Sequence, residues 1–277
     1  MGQNYERKFS YGFACSFDKG NFPYATCVIA ASCVGVRACH VVYANRMAFQ
    51  LNEGIANGTF SVNGTEANLI ITNKVLGESE LIYSDPLVYQ FNQVWRFITY
   101  SLVHEDLCHL LTNLAIIVFS LPILESIHGS FRPTLVYLVG VFLGSLTFGQ
   151  LSYGYLAGAS GGCYALVFCN FSDFIMNYRE MENVELAGGR AFLMLPMGCV
   201  LFFDIYMLVT VDYGSGADGI SYLAHIAGAF AGLLSGIILV KNFKVEWYEP
   251  IVFGVALTIM VGVFVVLIAL TVIRWYS

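Results

Sequence analysis

The stretch Gly158-Ala159-Ser160-Gly161-Gly162-Cys163-Tyr164-Ala165-Leu166 places a serine where a loop turns into an apolar helix. A hydroxyl group in such surroundings costs free energy unless a partner binds it. A second stretch, Ala224-His225-Ile226-Ala227-Gly228-Ala229-Phe230-Ala231-Gly232, places a histidine among similar small and apolar residues. We interpret Ser160 and His225 as a nucleophile and its base, set inside a membrane.

The composition indicates a protein with several membrane-spanning helices. Of the 277 residues, 57% are hydrophobic and 12% are charged, whereas soluble domains have roughly 25% charged residues. The apolar runs are about 20 residues long and continuous rather than alternating, which favours helices over a barrel. We predict an all-α polytopic membrane protein with seven spans, at about residues 22–43, 104–124, 133–151, 160–174, 191–211, 220–240 and 250–273.

Two polar segments lie outside these spans. Residues 1–21 are predicted to form a cytosolic tail, and residues 44–93 a lumenal or extracellular loop. The loop contains N-glycosylation patterns at Asn57 and Asn63, although Asn-Gly is also a common turn sequence. A third pattern, at Asn170, lies at the inner end of a predicted span and is expected to carry no glycan.

The distribution of positive charge supports this orientation. With the N-terminus inside, cytosolic segments hold eight basic residues, namely Arg7, Lys8, Lys19, Arg132, Arg179, Arg190, Lys241 and Lys244. The outer segments hold four, namely Arg46, Lys74, Arg96 and Arg274. Cytosolic segments of membrane proteins carry an excess of lysine and arginine. The excess therefore predicts a cytosolic N-terminus, and it agrees with the glycosylation patterns.

Polar side chains from three predicted spans are expected to meet at one depth. The second, fourth and sixth spans run from outside to inside, and His109, Asn113, Ser160 and His225 lie early in them. At 1.5 Å per residue, their depths agree within about two helical turns. Histidine can take the serine proton. His109, Asn113 and the Ser160 backbone amide are candidate donors to the oxyanion that follows.

Neighbouring residues fit this interpretation. Gly161 and Gly162 allow the sixth span to approach, and Tyr164 is placed to stack on His225. Asp204 is either an acid that orients His225 or, as we favour, a buried polar group bonded across helices. None of the eight cysteines has a metal-type spacing, and we expect no cofactor, no metal and no nucleic-acid partner.

Each of these polar side chains, considered alone, could have a purely structural role. An intramembrane serine commonly bonds to its own helix or to a neighbouring helix. A single histidine is more often a satisfied core residue than a base. Arg37, two turns before the end of the first span, is interpreted as reaching the membrane interface, and His104 is expected at that interface. The common depth of Ser160 and His225 is what favours a catalytic site.

At these residues the sequence resembles the rhomboid family of intramembrane serine proteases, from about Ile82 to Lys244. The matching residues are Trp95-Arg96, the spacing of His104, His109 and Asn113, Glu125 with His128-Gly129 and Arg132, Gly158-Ala159-Ser160-Gly161, Tyr164, and Ala224-His225 followed by Gly228 and Gly232. The resemblance implies a bundle of six helices that cuts single-span membrane proteins within or near the bilayer, in regulated intramembrane proteolysis.

The resemblance also implies a role for each matching residue. Ser160 would be the nucleophile and His225 its base, in a dyad without an acid, which counts against a catalytic Asp204. His109, Asn113 and the Ser160 amide would form the oxyanion hole. The supporting residues would be Gly158, Gly161, Tyr164 and Gly228. In one departure from the family pattern, Glu105-Asp106-Leu107 replaces the small and aromatic residues usual between the two histidines.

The extra C-terminal span resembles the six-plus-one arrangement of eukaryotic secretase-type rhomboids. Together with the glycosylation patterns, this resemblance implies a multi-pass protein of the Golgi, endosome or plasma membrane.

Two other functions fit part of the sequence. A catalytically silent relative would bind and route membrane clients, although such relatives typically lack the serine or the histidine. A transporter or channel is disfavoured, since the sequence has neither an inverted repeat nor a charged path.

Overall fold

The computed structural model describes residues 23–56, 79–152, 154–178, 197–200, 202, 221–240 and 242–276. The helices are α1 (Tyr24–Ala56), α2 (Asp85–Phe91), α3 (Arg96–Thr99), α4 (Leu107–His128), α5 (Phe131–Leu151), α6 (Ser160–Met176), α7 (Ser221–Leu239) and α8 (Glu249–Tyr276). A 3-10 turn at Tyr100–Leu102 follows α3. Two short antiparallel strands, β1 (Tyr83–Ser84) and β2 (Tyr155–Leu156), pair Tyr83 with Leu156.

The lengths and composition of the helices suit a membrane. Within the described residues, five helices are long and apolar enough to cross a bilayer, namely α1, α4, α5, α7 and α8. Helix α6 has 17 residues, at the lower end of the range that spans the hydrocarbon core. The structure confirms the prediction of an all-α polytopic membrane protein. The tail 1–21, Asn57, Asn63, Asp204 and most of the predicted span 191–211 lie outside the described residues.

Helix α1 is longer than the predicted first span. It continues past Tyr43 to Ala56, so the beginning of the predicted loop 44–93 is helical. Residues 44–53 contain neither glycine nor proline, and therefore nothing in them breaks the helix. Hydropathy marks where a chain leaves the hydrocarbon, and a helix can extend well beyond that point.

Helix α6 packs against α4, α5 and α7, and glycines allow two of these helices to approach its backbone. A Cβ atom on Gly140 of α5 would lie 2.3 Å from the Cβ atom of Ala165. On α7, a Cβ atom on Gly228 would lie 2.2 Å from the carbonyl oxygen of Gly161, and one on Gly232 would lie 2.3 Å from that of Ala165. Since real Cβ atoms do not come so close, these crossings require glycine.

The bundle has two ends, which we name by one residue each. The Ser160 side is the end at which α4 and α6 begin, and the Glu125 side is the end at which α4 finishes. On the Glu125 side, the buried Glu125 carboxylate accepts hydrogen bonds from the backbone amides of Ala25 and Thr26, at 3.0 and 3.1 Å. The Thr26 hydroxyl also donates to it. Glu125 of α4 thereby accepts hydrogen bonds from amides in the first turn of α1, which have no acceptor within their own helix. A negative charge is also favourable there, because the N-terminus of a helix is the positive end of its dipole.

Replacing Glu125 by alanine is expected to destabilise the fold by about 3 kcal/mol, because buried amides lose a charged acceptor. The thermal midpoint of the purified protein in detergent should fall by roughly 5–10 °C. Ser126→Ala, at the adjacent exposed position, is the control and should leave the midpoint unchanged. An unchanged midpoint in Glu125→Ala would show that the amides find other partners.

The last helix joins both ends of the bundle. Near its end, on the Ser160 side, Arg274 Nη2 lies 3.2 Å from Asp85 Oδ2, and Trp275 Nε1 donates to Asn92 Oδ1 at 2.7 Å. On the Glu125 side, the backbone amide of Phe243, which precedes α8, donates to Asn177 Oδ1 at 2.8 Å. Helix α8 is therefore fastened to the segment between β1 and α3, and its N-terminal linker to the end of α6.

Candidate active site

Ser160 is the first residue of α6 and is buried, with 8% of its surface exposed. The chain enters this position through Gly158, whose φ of +114° is rarely adopted by residues with a side chain. A Cβ atom on Gly158 would also lie 2.6 Å from Cε1 and Nε2 of His109. The Gly158 amide donates to the carbonyl of Tyr100 at 3.1 Å. Glycine is therefore required here both by the turn and by the imidazole beside it.

His225 lies on α7 and packs against α6. Its imidazole stacks on the ring of Tyr164, with centroids 4.3 Å apart and planes 13° apart. Tyr164 follows Ser160 by one helical turn, and Gly228 follows His225 by one turn. The close crossing of Gly228 over Gly161 brings α7 to the first turn of α6. The stacking of Tyr164 on His225 that the sequence predicted is observed.

His109 and Asn113 lie one turn apart in α4, beside the turn that leads to Ser160. Asp106 caps α4 and accepts from the His109 backbone amide at 2.7 Å, which fixes the start of the helix. Asn113 Nδ2 lies 3.7 Å from the position of a Cβ atom on Gly158. The structure thus brings His109 and Asn113 to the loop directly before Ser160.

The side chain of Asn113 holds a buried donor. Only 3% of Asn113 is exposed, and within the described part of the chain its Nδ2 has no hydrogen-bond partner. A buried donor without an acceptor costs about 1–3 kcal/mol. Such groups are rare in folded proteins. A donor left free beside a candidate nucleophile is suited to bind an oxyanion that forms only during reaction.

The structure corrects the expected position of His104. It is fully buried rather than interfacial, with no exposed surface. The Ala159 amide, next to Ser160, donates to its Nε2 over a long 3.5 Å, and its ring meets that of His109 edge-on at 5.1 Å. Hydropathy alone placed His104 at the end of a span. The spacing between His104 and His109 was the signal that marked it as part of the site.

Tyr100 is a further residue of the site region that sequence reasoning did not single out. Its buried hydroxyl donates to the carbonyl of Val141 at 2.8 Å. The same hydroxyl would lie 3.2 Å from a Cβ atom on Gly161. Tyr100 therefore occupies the space that Gly161 leaves open, and its carbonyl holds the turn at Gly158. A tyrosine in an aromatic segment carries no sequence signal for this contact.

Among the residues that the structure describes, no three His, Cys, Asp or Glu side chains are grouped so that they could hold a metal ion. The groups around the first turn of α6 and the Gly158 turn before it are a serine at the helix start, two histidines and a carboxamide donor. A serine and a histidine supply a nucleophile and a base, and donors beside them can bind developing negative charge. Acyl transfer needs these three components.

The model of the rhomboid domain family matches residues 91–242, which is 152 of the 277 residues. The chain is similar to Rhomboid-related protein 2 of Mus musculus, with 37% identity over 169 residues, 58% of this chain and 54% of that protein. It is also similar to Rhomboid-related protein 1 of Caenorhabditis elegans, with 30% identity over 197 residues, 66% of this chain and 50% of that protein.

A further relative carries a different name. Inactive rhomboid-related protein 2 of Caenorhabditis elegans is 28% identical over 175 residues, 62% of this chain and 48% of that protein. The chain spans about half the length of these curated relatives. The relatives thus include a protein named as inactive.

Proposed function

This chain belongs to the rhomboid family, and we propose that it is an intramembrane serine endopeptidase. Its substrates would be single-span membrane proteins, cut in or near the span at a small-residue segment that destabilises the helix. The observation that carries the proposal is that His225 stacks on Tyr164, one helical turn after Ser160. His109 and Asn113 lie beside the Gly158 turn that leads to Ser160. The proposed partners are these substrates and the lipid bilayer.

The reaction begins when the Ser160 hydroxyl attacks the carbonyl carbon of the scissile peptide. His225 takes the hydroxyl proton as the C–O bond forms. The carbonyl oxygen becomes an oxyanion, to which Asn113 Nδ2, the His109 side chain and the Ser160 amide donate. When the C–N bond breaks, His225 returns the proton to the leaving amine. Water, activated by the same histidine, then hydrolyses the acyl-enzyme and frees Ser160.

The surrounding residues hold this geometry. The flat ring of Tyr164 limits rotation of the His225 imidazole through stacking. Gly158 leaves room for the His109 imidazole, and Gly161 with Gly228 sets the spacing of α6 and α7. Each of these residues acts on the reacting groups through packing. The chemistry itself falls to Ser160, His225 and the oxyanion donors.

The second candidate function is a catalytically silent protein that binds membrane clients and routes them. The relative named as inactive gives this alternative weight. The experiment that separates the two uses the full chain in liposomes with a test substrate, a single-span protein whose span holds a small-residue segment. Turnover into two fragments supports the protease. Co-purification of intact test substrate without fragments would contradict it.

For the orientation, we propose a cytosolic N-terminus in a membrane of the secretory pathway, with Asn57 and Asn63 glycosylated. Expression in eukaryotic cells should give a protein whose apparent mass falls on endoglycosidase treatment. The double variant Asn57→Gln with Asn63→Gln should lose that shift. The buried Asn170, which donates to the carbonyls of Ser120 and Leu166, should carry no glycan. A shift that survives in the double variant would contradict the orientation.

A further inference from the structure

An arginine in the first helix contacts the segment that leads into the site. Arg37 of α1 donates from Nη1 to the carbonyl oxygens of His104 and Glu105, at 3.0 and 2.9 Å. Nη1 carries two hydrogens, so a single nitrogen serves both carbonyls. The interpretation of Arg37 as a residue that reaches the interface leaves this contact unexplained, because its guanidinium is directed to the protein backbone.

The two carbonyls belong to residues 103–106, which connect the 3-10 turn to α4. We call this stretch the 103–106 segment. It lies outside any helix, and backbone carbonyls that a helix does not pair need hydrogen-bond donors from elsewhere. Charged donors make stronger hydrogen bonds than neutral ones. Arg37 therefore supplies a strong attachment between α1 and this segment.

Two residues of the 103–106 segment, His104 and Asp106, contact the site. The His104 ring lies against the Ala159 amide, next to Ser160, and edge-on to the His109 ring. Asp106 caps α4 through the His109 backbone amide. The backbone that Arg37 binds thus carries two groups of the site. One is the His104 ring, which contacts His109, and the other is the Asp106 carboxylate, which caps the start of α4.

We propose that Arg37 is a positioning residue for the oxyanion donors of the protease. This inference rests on the proposed function and deepens it. Arg37 does not touch the reacting atoms. It holds the 103–106 segment so that His109 and Asn113 keep their place relative to Ser160. A displacement of about 1 Å in such groups can reduce the rate a hundredfold.

The packing of α1 does not depend on this contact alone. Cys33 Sγ donates to the carbonyl of Ser101 at 3.8 Å, and Glu125 binds the first turn of the helix. Removal of the guanidinium should therefore loosen the 103–106 segment while α1 remains in place. This separates a positioning role from a purely structural one.

The test compares wild type with Arg37→Met, Arg37→Lys and the control Arg46→Met, all in liposomes with the test substrate. Arg46 is exposed on the same helix. We expect Arg37→Met to lower kcat by about tenfold to a hundredfold, with KM within about twofold. Arg37→Lys should recover part of kcat, since an ammonium group can donate to both carbonyls. Arg46→Met should match wild type.

A second readout does not depend on catalysis. Amide deuterium exchange across residues 103–109 should be faster in Arg37→Met than in wild type, at an unchanged thermal midpoint. An active wild type with unchanged kcat and exchange in Arg37→Met would overturn the inference and leave the protease assignment intact. If the thermal midpoint of Arg37→Met fell together with kcat, the loss of activity would follow from loss of the fold, and Arg37 would have only a structural role. An inactive wild type would overturn the proposed function itself.

Discussion

Ser160→Ala is expected to abolish cleavage of the test substrate, and His225→Ala to have nearly the same effect. Without the hydroxyl there is no nucleophile, and without the imidazole the hydroxyl keeps its proton. Loss of one member of such a unit costs about 10⁴- to 10⁶-fold in rate. The measurement is the initial rate at which the two fragments appear in liposomes. A fluorophosphonate probe should label wild type and neither variant.

The two substitutions are expected to be non-additive, because the serine and the histidine act as one unit. The double variant Ser160→Ala with His225→Ala should be no slower than either single one. Ser152→Ala, a half-buried serine just after α5, is the matched control and should retain the wild-type rate. If Ser160→Ala kept a tenth or more of wild-type activity, the assignment of the nucleophile would be wrong.

Gly228→Ala is expected to reduce both activity and stability. The added Cβ atom would lie 2.2 Å from the Gly161 carbonyl oxygen, a backbone atom that cannot rotate away. Helix α7 must shift from α6, and the shift carries His225 away from Ser160. Overpacking of this kind costs about 1–3 kcal/mol, and a displacement of about 1 Å can cost a hundredfold in rate. Cleavage rate and thermal midpoint are the two measurements.

Gly262→Ala provides the comparison for this substitution. Gly262 lies within α8, and a Cβ atom there would meet nothing within 4 Å. Alanine favours helix over glycine by about 1 kcal/mol, so this variant should keep full activity and an equal or higher midpoint. If Gly228→Ala and Gly262→Ala had the same cleavage rate and the same thermal midpoint, the close crossing at Gly228 would not be needed for activity or stability.

Several features of the fold and site could be predicted from the sequence because each depends on a local pattern. Continuous apolar runs predicted a multi-span helical protein. Helical rise from the span starts predicted that Ser160, His225, His109 and Asn113 share a depth, and the structure brings the last two to the turn before Ser160. Tyr164 lies one helical turn after Ser160, and this spacing predicted its contact with the His225 ring. The contact requires only that α6 and α7 pack against each other.

Other features depend on contacts between distant segments, which local patterns do not report. The carbonyls that Arg37 binds follow it by about seventy positions. Hydropathy alone does not report such a distant contact, and it predicted that Arg37 reaches the membrane interface. His104 was assigned to the interface from its distance to a span end, whereas in the structure it is buried and contacts the Ala159 amide of another segment. The end of α1 was missed because a helix does not stop where the hydrocarbon stops.

The contact between Glu125 and the start of α1 has a consequence for biosynthesis. The acceptor lies 100 positions after Ala25 in the chain, so the ribosome must complete most of α4 before the first turn of α1 receives its carboxylate. Until then these amides rely on water or lipid headgroups at the membrane surface. Helix α1 is thus synthesised well before the carboxylate that binds its first turn, and release of the nascent chain before Glu125 would leave α1 without that contact.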